Sequence, residues 1–199
     1  MKKLAYSILS LIFAISFTSC SDSNDDNGNG IDNLPVMILG QWCSTDNGSW
    51  VMYNFQANSN FEITLKGDSE TYRGVYTCVG NHVSASYHGS QGFEWNVTSA
   101  QTYFVRYKVD GDKTEKMLHR IVGELVMHPD ETVSIESQAM IPGIAVSQYT
   151  VEDSNIAKID SKTHKITAIA PGETFVTLVT EFGTPMIHVV VGNNIIEPN

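Results

Sequence analysis

Hydrophobic and polar residues alternate in short runs from residue 39 of this chain onward. In Phe61–Lys66, for example, Phe61, Ile63 and Leu65 share one face, and the polar residues share the other. A period of two predicts a half-buried β-strand, because successive side chains of a strand point to opposite faces. Clusters of Gly, Asn, Asp and Ser separate the runs and predict tight turns. The pattern therefore predicts an all-β protein.

The runs between residues 39 and 122 predict about eight strands, of which the first is Leu39–Ser44 and the last is Lys116–Val122. The turns between consecutive runs are short, which favours an antiparallel meander. Closing a meander of eight strands leaves no exposed edge. The predicted strands are about six residues long, and a closed barrel of that size has an interior that its own side chains can fill.

Residues 123–192 continue the pattern with about seven short runs, which suits an antiparallel sandwich of two sheets. Val133 and Ile135 are predicted to point into its core. We expect the boundary between the two halves near Gly123, where the composition changes. The chain after residue 20 contains no stretch of helical period with capping residues.

The barrel half carries aromatic residues on both faces of its strands. On one strand, alternation places Val75 and Val79 on the face opposite to Tyr72 and Tyr76. A small barrel cannot turn all of its aromatic side chains inward. We therefore expect an aromatic surface for sugar faces or apolar protein patches, formed by Trp50, Tyr72 and Tyr76. The alternative is that the second half of the chain covers these side chains.

The first nineteen residues are predicted to be a secretory signal. Lys2-Lys3 gives a positive start, Leu4–Phe17 is uncharged and mostly apolar, and Thr18-Ser19 supplies small residues at the cleavage position. The apolar run is too short to cross a bilayer, which takes about 20 residues. Residues 21–30 contain no apolar side chain and predict a flexible tether.

The charge balance of the chain is acidic. It contains 22 acidic and 12 basic residues, a formal net charge of −10. Removal of residues 1–19 takes Lys2 and Lys3 with it, which leaves 10 basic residues against 22 acidic ones, or −12. Such a surface repels phosphate backbones and anionic headgroups. We therefore expect no nucleic-acid partner and no electrostatic binding to membranes.

The end of the signal, Phe17-Thr18-Ser19-Cys20, resembles the lipobox of bacterial lipoproteins. The resemblance implies that Cys20 begins the mature protein and carries acyl chains, palmitate among them, that anchor it to a membrane. Phe17 departs from the aliphatic residue that is usual there. The acids that follow are similar to the surface-export tag of Bacteroides-group lipoproteins, and a plain linker is the alternative. The implied location is the outer membrane, at the cell surface or the periplasmic face.

Residues 35–122 resemble the small lipocalin-like proteins. Gly40-Gln41-Trp42 stands where that family has Gly-x-Trp near its first strand, and Gly74–Val83 is similar to its mid-barrel hairpin. The resemblance implies a lipocalin-like β-barrel with Trp42 in its bottom core. Another small β-meander remains the alternative.

Residues 123–192 resemble the group 2 bacterial immunoglobulin-like (BIG2) domains. The likeness rests on Tyr149-Thr150, Asp153-Ser154-Asn155, Ile156–Asp160, Lys165–Ile169, Pro171–Thr174 and Phe175–Leu178. Tyr149 stands where the family usually has Trp, and His164 where a hairpin Gly is usual. If that turn needs a positive φ, His adopts it only at a cost. The resemblance implies an extracytoplasmic spacer or adhesion module without enzyme activity.

The sequence contains no motif typical of a catalytic or metal site. The six His residues form no short ligand pair, so we expect no metal and no cofactor. Asp153 and Asp160 fall on predicted turns, where Asp side chains commonly bond the local backbone. With Cys20 lipidated, Cys43 and Cys78 remain. A disulfide between them and a pair of buried free thiols are equally open alternatives.

These features predict a non-catalytic, lipid-anchored envelope or surface protein that serves as a binding, adhesion or scaffold module for a glycan or protein partner. The alternative is a carrier of a small apolar ligand, and the two differ in whether side chains or a cavity fill the barrel. The predicted organisation is a signal peptide (1–19), a lipidated tether (20–34), the barrel (35–122), the immunoglobulin-like domain (123–192) and a tail (193–199).

Overall fold

A computed structural model describes residues 33–46, 48–87, 90–135, 141 and 144–192, with only the backbone of residues 90 and 91. The predicted signal, Cys20 and most of the predicted tether lie outside this range. The described part contains one short helix, α1 (Leu34–Met37), and fourteen strands. The strands are β1 (Gly40–Asp46), β2 (Ser49–Phe55), β3 (Asn60–Leu65), β4 (Thr71–Val79), β5 (His82–Tyr87), β6 (Ser90–Gln101), β7 (Phe104–Val109), β8 (Glu115–Met127), β9 (Thr132–Ser134), β10 (Val146–Val151), β11 (Ala157–Asp160), β12 (Lys165–Ala168), β13 (Gly172–Thr180) and β14 (Met186–Val191).

Strands β1 to β8 form the predicted antiparallel barrel. Each strand pairs with the next along the chain. The barrel closes where β1 pairs with β8, with Trp42 opposite Arg120 and Cys43 opposite His119. The predictions of an all-β protein and of a closed eight-stranded barrel are therefore confirmed.

Side chains from α1, from β1 to β7 and from Leu118 of β8 meet inside the barrel. Its centre is aromatic: Phe93 stacks on Trp95 at a centroid distance of 4.1 Å, and Trp95 lies 4.4 Å from the ring of Tyr107. The buried members of this barrel core are Leu34, Ile38, Trp42, Phe55, Phe61, Ile63, Tyr76, Val83, Ala85, Trp95, Val97, Ala100, Val105, Tyr107 and Leu118. Packed aromatic rings thus occupy the interior of the barrel.

Strand β4 shows how the aromatic side chains select which face turns inward. Tyr76 is buried in the barrel core, whereas Val75 and Val79 are 55% and 75% exposed. A tyrosine ring buries more apolar area than a valine, so turning the tyrosine face inward gains more. Gly74 lies on that same inward face, and a Cβ atom there would stand 2.6 Å from Cε1 of Phe61. The missing side chain makes room for the Phe61 ring.

Helix α1 closes one end of the barrel, contrary to the expectation that the chain after residue 20 is free of helix. Leu34, the last residue of the predicted tether, is fully buried, as is Ile38. Pro35 in the first turn presets the helical φ and lacks only an N–H that a helix leaves unbonded there. Among the described residues, no helix is long and apolar enough to cross a membrane.

Arg120 holds the end of α1 against the barrel. Its guanidinium donates hydrogen bonds to the carbonyl oxygens of Met37 (2.7 Å) and Leu39 (3.0 Å). It also lies over the Trp42 ring, 4.2 Å from the ring centroid, and the Trp42 indole N–H donates to the carbonyl of Ile38 at 2.7 Å. Burial lowers the pKa of this guanidinium to about 10. Trp42 therefore lies in the core at one end of the barrel, as the lipocalin-like resemblance implies.

Strand β8 belongs to both halves of the molecule. Its first part pairs with β7, and residues 121–127 pair with β14. The predicted boundary at Gly123 falls inside this continuous strand. The pairing of β8 with β14 is parallel, so the expectation of a purely antiparallel sandwich is wrong. A parallel pair needs a long crossover, and the chain between these two strands supplies it by forming the rest of the sandwich.

The second half is a sandwich of two sheets. The order β8-β14-β13-β10 makes one sheet, continuous with the barrel, and β11-β12-β9 makes the other. Ile135 is fully buried as predicted, and Val133 packs against the same core. The buried members of this core are Leu125, Met127, Ile135, Ile141, Ala157, Ile166, Ala168, Val176, Leu178, Ile187, Val189 and Val191.

The turns of the sandwich follow the predicted chemistry. The carboxylate of Asp153 accepts from the backbone N–H of Asn155 at 3.0 Å, and that of Asp160 accepts from Lys162 at 2.8 Å. These bonds hold the pKa of each aspartate below its usual value. His164, at the expected hairpin position, has a φ of 51°, the left-handed conformation that glycine adopts more readily.

Candidate functional site

Trp50 does not contribute to an exposed aromatic surface. It points out of the barrel wall, as its alternation predicts, but only 5% of it is exposed. Phe175 of β13 packs edge-on against it at a centroid distance of 5.4 Å. Trp50, Cys43, Ile121, Phe175 and Met186 form a buried cluster between barrel and sandwich, the junction cluster. The expectation that Trp50 is exposed is wrong, because the second half covers it.

Tyr76 is also buried, so the surface predicted from Trp50, Tyr72 and Tyr76 does not form. Tyr76 lies inside the barrel, where its ring is 5.0 Å from that of Phe55 and its hydroxyl donates to the carbonyl of Gln56 at 3.0 Å. Tyr72 is half-buried, and its hydroxyl donates to the Asp68 carboxylate at 2.7 Å. The structure does not bring the three aromatic residues together on one outer face.

His188 of β14 lies at the edge of the junction cluster between two carboxylates. Nδ1 is 3.1 Å from Glu124 of β8, and Nε2 is 3.2 Å from Glu173 of β13. Its ring stacks on Phe175 at 5.0 Å. The two carboxylates approach opposite edges of the ring, so these three side chains cannot all bind one ion. The arrangement ties the three strands of the sandwich sheet together beside Trp50.

The two cysteines that follow Cys20 are free thiols in the structure. Cys43 points out of the barrel wall into the junction cluster, whereas Cys78 packs against the barrel core from inside. The barrel wall thus separates them, which explains why no disulfide joins them. Burial raises the pKa of Cys43 to about 12, with a smaller contribution from Glu152. A thiol of this kind is a poor nucleophile at neutral pH.

His119, opposite Cys43 on β8, is a second histidine at the junction and is half-buried. Its Nδ1 lies 2.8 Å from the hydroxyl and 3.0 Å from the carbonyl oxygen of Thr184. Burial lowers its pKa, and the Thr184 backbone contact opposes the shift. This contact joins the barrel to the segment that leads into β14.

The turn between β13 and β14 presents an aromatic side chain to solvent. Among the exposed large apolar side chains in the described part of the chain, Phe182 is the aromatic one, at 52% exposure. The Thr180 hydroxyl donates to the Gly183 carbonyl at 2.8 Å and accepts from the Phe182 N–H at 3.2 Å. The turn is therefore fixed by its own hydrogen bonds with the phenylalanine outward.

This turn rests on the outer wall of the barrel next to a second phenylalanine. A Cβ atom on Gly183 would lie 3.0 Å from Cδ1 of Phe104, so the glycine allows close approach. The Arg106 guanidinium lies over the half-buried Phe104 ring at 5.5 Å. Arg106 in turn pairs with Glu115 at 3.6 Å, and Glu115 accepts a hydrogen bond from the Thr98 hydroxyl at 2.6 Å. We call this part of the surface the aromatic corner. It consists of Phe104, Arg106 and Glu115, in contact one after another on the barrel wall, and of the exposed Phe182, which precedes Gly183 in the turn.

The aromatic corner is the candidate binding site, and the sequence pattern did not single it out. Phe182 stands between Glu181 and Gly183, where alternation marks a turn and carries no information on exposure. An apolar aromatic residue inside a polar turn is the one feature of the sequence that could have predicted an exposed aromatic side chain here. A group of three or more His, Cys, Asp or Glu side chains able to hold a metal ion does not occur among the described residues.

Comparison with known proteins gives little for this chain. No family model matches it, and no curated protein matches it. A solved structure with some likeness is the NMR structure of a protein from Bacteroides uniformis, with 12% sequence identity and a TM-score of 0.37. The likeness covers 43% of this chain and 89% of that one. A likeness of this strength identifies neither a family nor a function.

Proposed function

We propose that this chain is a non-catalytic, lipid-anchored protein of the cell envelope or cell surface, in which barrel and sandwich together serve as a binding, adhesion or scaffold module. The observation that carries the proposal is the sharing of β8 by both halves. A continuous strand together with a buried junction favours a rigid unit over two mobile domains. A rigid unit on a flexible tether suits presentation of a surface away from a membrane.

The packing of the barrel supports this role over that of a carrier. Carrier barrels hold a ligand in a cavity, usually of about 300 Å³ or more. Here Trp42, Phe55, Phe61 and Trp95 fill the interior, and each is at most 2% exposed. Helix α1 closes one end with Leu34. The candidate binding surface therefore lies on the outside of the molecule.

The polar groups that could suggest chemistry also favour a structural role. Asp153 and Asp160 bond turn backbone, and His119 and His188 hold junction contacts. The raised pKa of Cys43 keeps its thiol protonated. The lipid anchor is proposed from the Thr18-Ser19-Cys20 site, and an outer-membrane location goes with the anchor.

Metabolic labelling with a palmitate analogue tests the anchor. We expect label on the wild-type chain and none on Cys20→Ser, which should accumulate uncleaved or mislocalised. Cys78→Ser is the matched control, because it removes a cysteine within the barrel and should keep full labelling. Label retained by Cys20→Ser would contradict the proposal. Protease treatment of intact cells then separates the cell surface from the periplasmic face.

A further inference from the structure

The basic side chains of the sandwich half all belong to one hairpin. Residues 123–192 contain nine acidic side chains and three basic ones, which are Lys158, Lys162 and Lys165. These lysines lie on β11, on the turn that follows it and on β12. Among the described residues, none of their ammonium groups takes part in an ion pair. A small positive area thus stands out on a chain whose net charge is −10.

The pairing register places two of these lysines on one face of the three-stranded sheet. Lys158 lies opposite Thr167, and Lys165 lies opposite Asp160. Thr167 also lies opposite Thr132 of β9, and their hydroxyl oxygens are 2.9 Å apart. Residues directly opposite each other on antiparallel strands share a face. This face points to solvent, because the alternate residues of β12 are buried in the sandwich core.

A shallow depression with a volume of about 590 Å³ lies on this part of the sheet. Residues 158–162 line one side of it, and Thr167 and Ile169 line the other. Successive residues of a strand point to opposite faces, so a depression that touches all of residues 158–162 also follows the outer edge of β11. The exposed part of Ile169, 40% of the residue, gives the depression an apolar patch beside its lysines.

Strand β11 is an edge strand. It ends the order β11-β12-β9 and, within the described part of the chain, pairs with β12 alone. The free side of an edge strand carries backbone N–H and C=O groups that can pair with another extended chain. Strand β10 also ends a sheet, but none of its residues is charged. The edge of β11 therefore differs from that of β10 in its positive side chains.

The acidic residue of the depression is engaged by its own turn. The Asp160 carboxylate accepts hydrogen bonds from the backbone N–H groups of Lys162 at 2.8 Å and Thr163 at 3.1 Å. Its oxygens thus hold the turn that carries Lys162 in place. The ammonium groups of the hairpin are left to pair with a partner from outside.

We infer that the free edge of β11 binds an extended acidic segment of a partner protein, which adds to the small sheet as a further strand. Backbone hydrogen bonds to β11 give the affinity, and side chains at alternate positions of the segment give the specificity. The carboxylates pair with Lys158 and Lys162, and an apolar side chain packs on Ile169. This inference rests on the proposed function as a binding module and names its partner class.

The same observations disfavour other occupants. A second copy of this chain that added through its own β11 would bring lysines against lysines, and like charges on facing strands destabilise a sheet. A free anion or an anionic lipid headgroup can pair with the ammonium groups but has no extended backbone for the edge. An acidic peptide segment uses the edge, the lysines and the apolar patch together.

Selection from a library of random twelve-residue displayed peptides tests the inference, with the full-length protein in a neutral detergent as the target. We expect enriched peptides to carry acidic residues at alternate positions and to lack proline, which has no backbone N–H to donate. A synthetic peptide of an enriched sequence should bind more weakly as the salt concentration rises. The double variant Lys158→Glu/Lys162→Glu should bind it about tenfold more weakly.

Two further measurements separate strand addition from simple charge attraction. N-methylation of alternate backbone nitrogens keeps the charge of the peptide and removes hydrogen-bond donors, so the methylated peptide should lose its binding. The unmodified peptide should slow hydrogen exchange in β11 and leave exchange in β10 unchanged. Lys113→Glu is the matched control, because it reverses the charge of an exposed lysine in the barrel half, and it should bind as the wild type does.

Lys158 and Lys162 are exposed, so the double variant should keep the wild-type melting temperature, and its weaker binding then reports the edge itself. Four results would overturn the inference: no enrichment of acidic peptides, equal binding by the double variant, equal binding of the methylated peptide, or binding to phosphatidylglycerol vesicles in place of peptides. Palmitate labelling at Cys20 is independent of these results, so the proposed function can stand if this inference fails.

Discussion

Two buried tryptophans of the barrel wall differ in the environment of the indole Nε1 atom, and this difference predicts different effects of the same substitution. Trp42 and Trp50 are at most 5% exposed. The indole N–H of Trp42 donates to the carbonyl of Ile38, whereas Nε1 of Trp50 is buried without a hydrogen-bond partner among the described residues. Replacement by phenylalanine removes the N–H in both cases and keeps a large ring. The two substitutions should therefore have different effects on stability.

The expected magnitudes follow from the separate contributions. Loss of the smaller ring of either indole removes packing worth about 1 kcal/mol. At Trp50, removal of an unbonded buried N–H returns about 1–3 kcal/mol. At Trp42, a hydrogen bond worth about 1 kcal/mol is lost, and the contact with Arg120 weakens by about 0.5–1 kcal/mol. Trp50→Phe should lie between unchanged and about 2 kcal/mol more stable, and Trp42→Phe should be about 2.5–3 kcal/mol less stable.

Urea unfolding of the protein from Ser21 onward, which retains every described residue, measures both values. The m-value should stay constant, so that the midpoint reports stability alone. Trp50→Ala serves as a check that the ring itself is buried, with an expected loss of about 3–5 kcal/mol. If Trp50→Phe proves as destabilising as Trp42→Phe, the orphan N–H does not act as argued, and the reasoning about the junction is refuted.

Two further predictions concern the junction and the barrel core. Burial depresses the pKa of His119 below its ordinary value of 6.5, so the stability that this side chain contributes is present above pH 6.5 and is lost as the pH falls through the lowered pKa. In melting curves recorded from pH 7.5 to pH 4.5, His119→Gln should lose less stability at low pH than the wild type does. An equally steep loss in the variant would count against the assignment. Gly74→Ala would place a Cβ atom 2.2 Å from the Ser86 carbonyl oxygen and should lower the free energy of unfolding in urea by more than about 3 kcal/mol. Gly192→Ala, whose Cβ would have no heavy atom within 4 Å, is the control and should change this free energy little. Similar effects of the two substitutions would show that the barrel wall relaxes freely.

Local patterning determined the strands of this protein. The period-two alternation of Phe61–Leu65 and its neighbours gives the barrel strands, and the turn residues give their order. Asp153 and Asp160 bond their turns as predicted, because an Asp side chain needs only its own local backbone to do so. The need for a left-handed residue at His164 is likewise a local property.

Tertiary structure decided which face of each strand is buried and by what. Alternation shows that Val75 and Tyr76 oppose each other, but only competition for the barrel interior turns the tyrosine inward. Alternation predicts that Trp50 points out of the barrel, and it does so in the structure. Its burial depends on Phe175, 125 residues further along the chain. Exposure of Phe182 likewise depends on where the turn rests against the barrel. The alternation along the chain predicts which side chains share a face of a strand. Which residues pack against that face depends on contacts between segments that are remote in sequence.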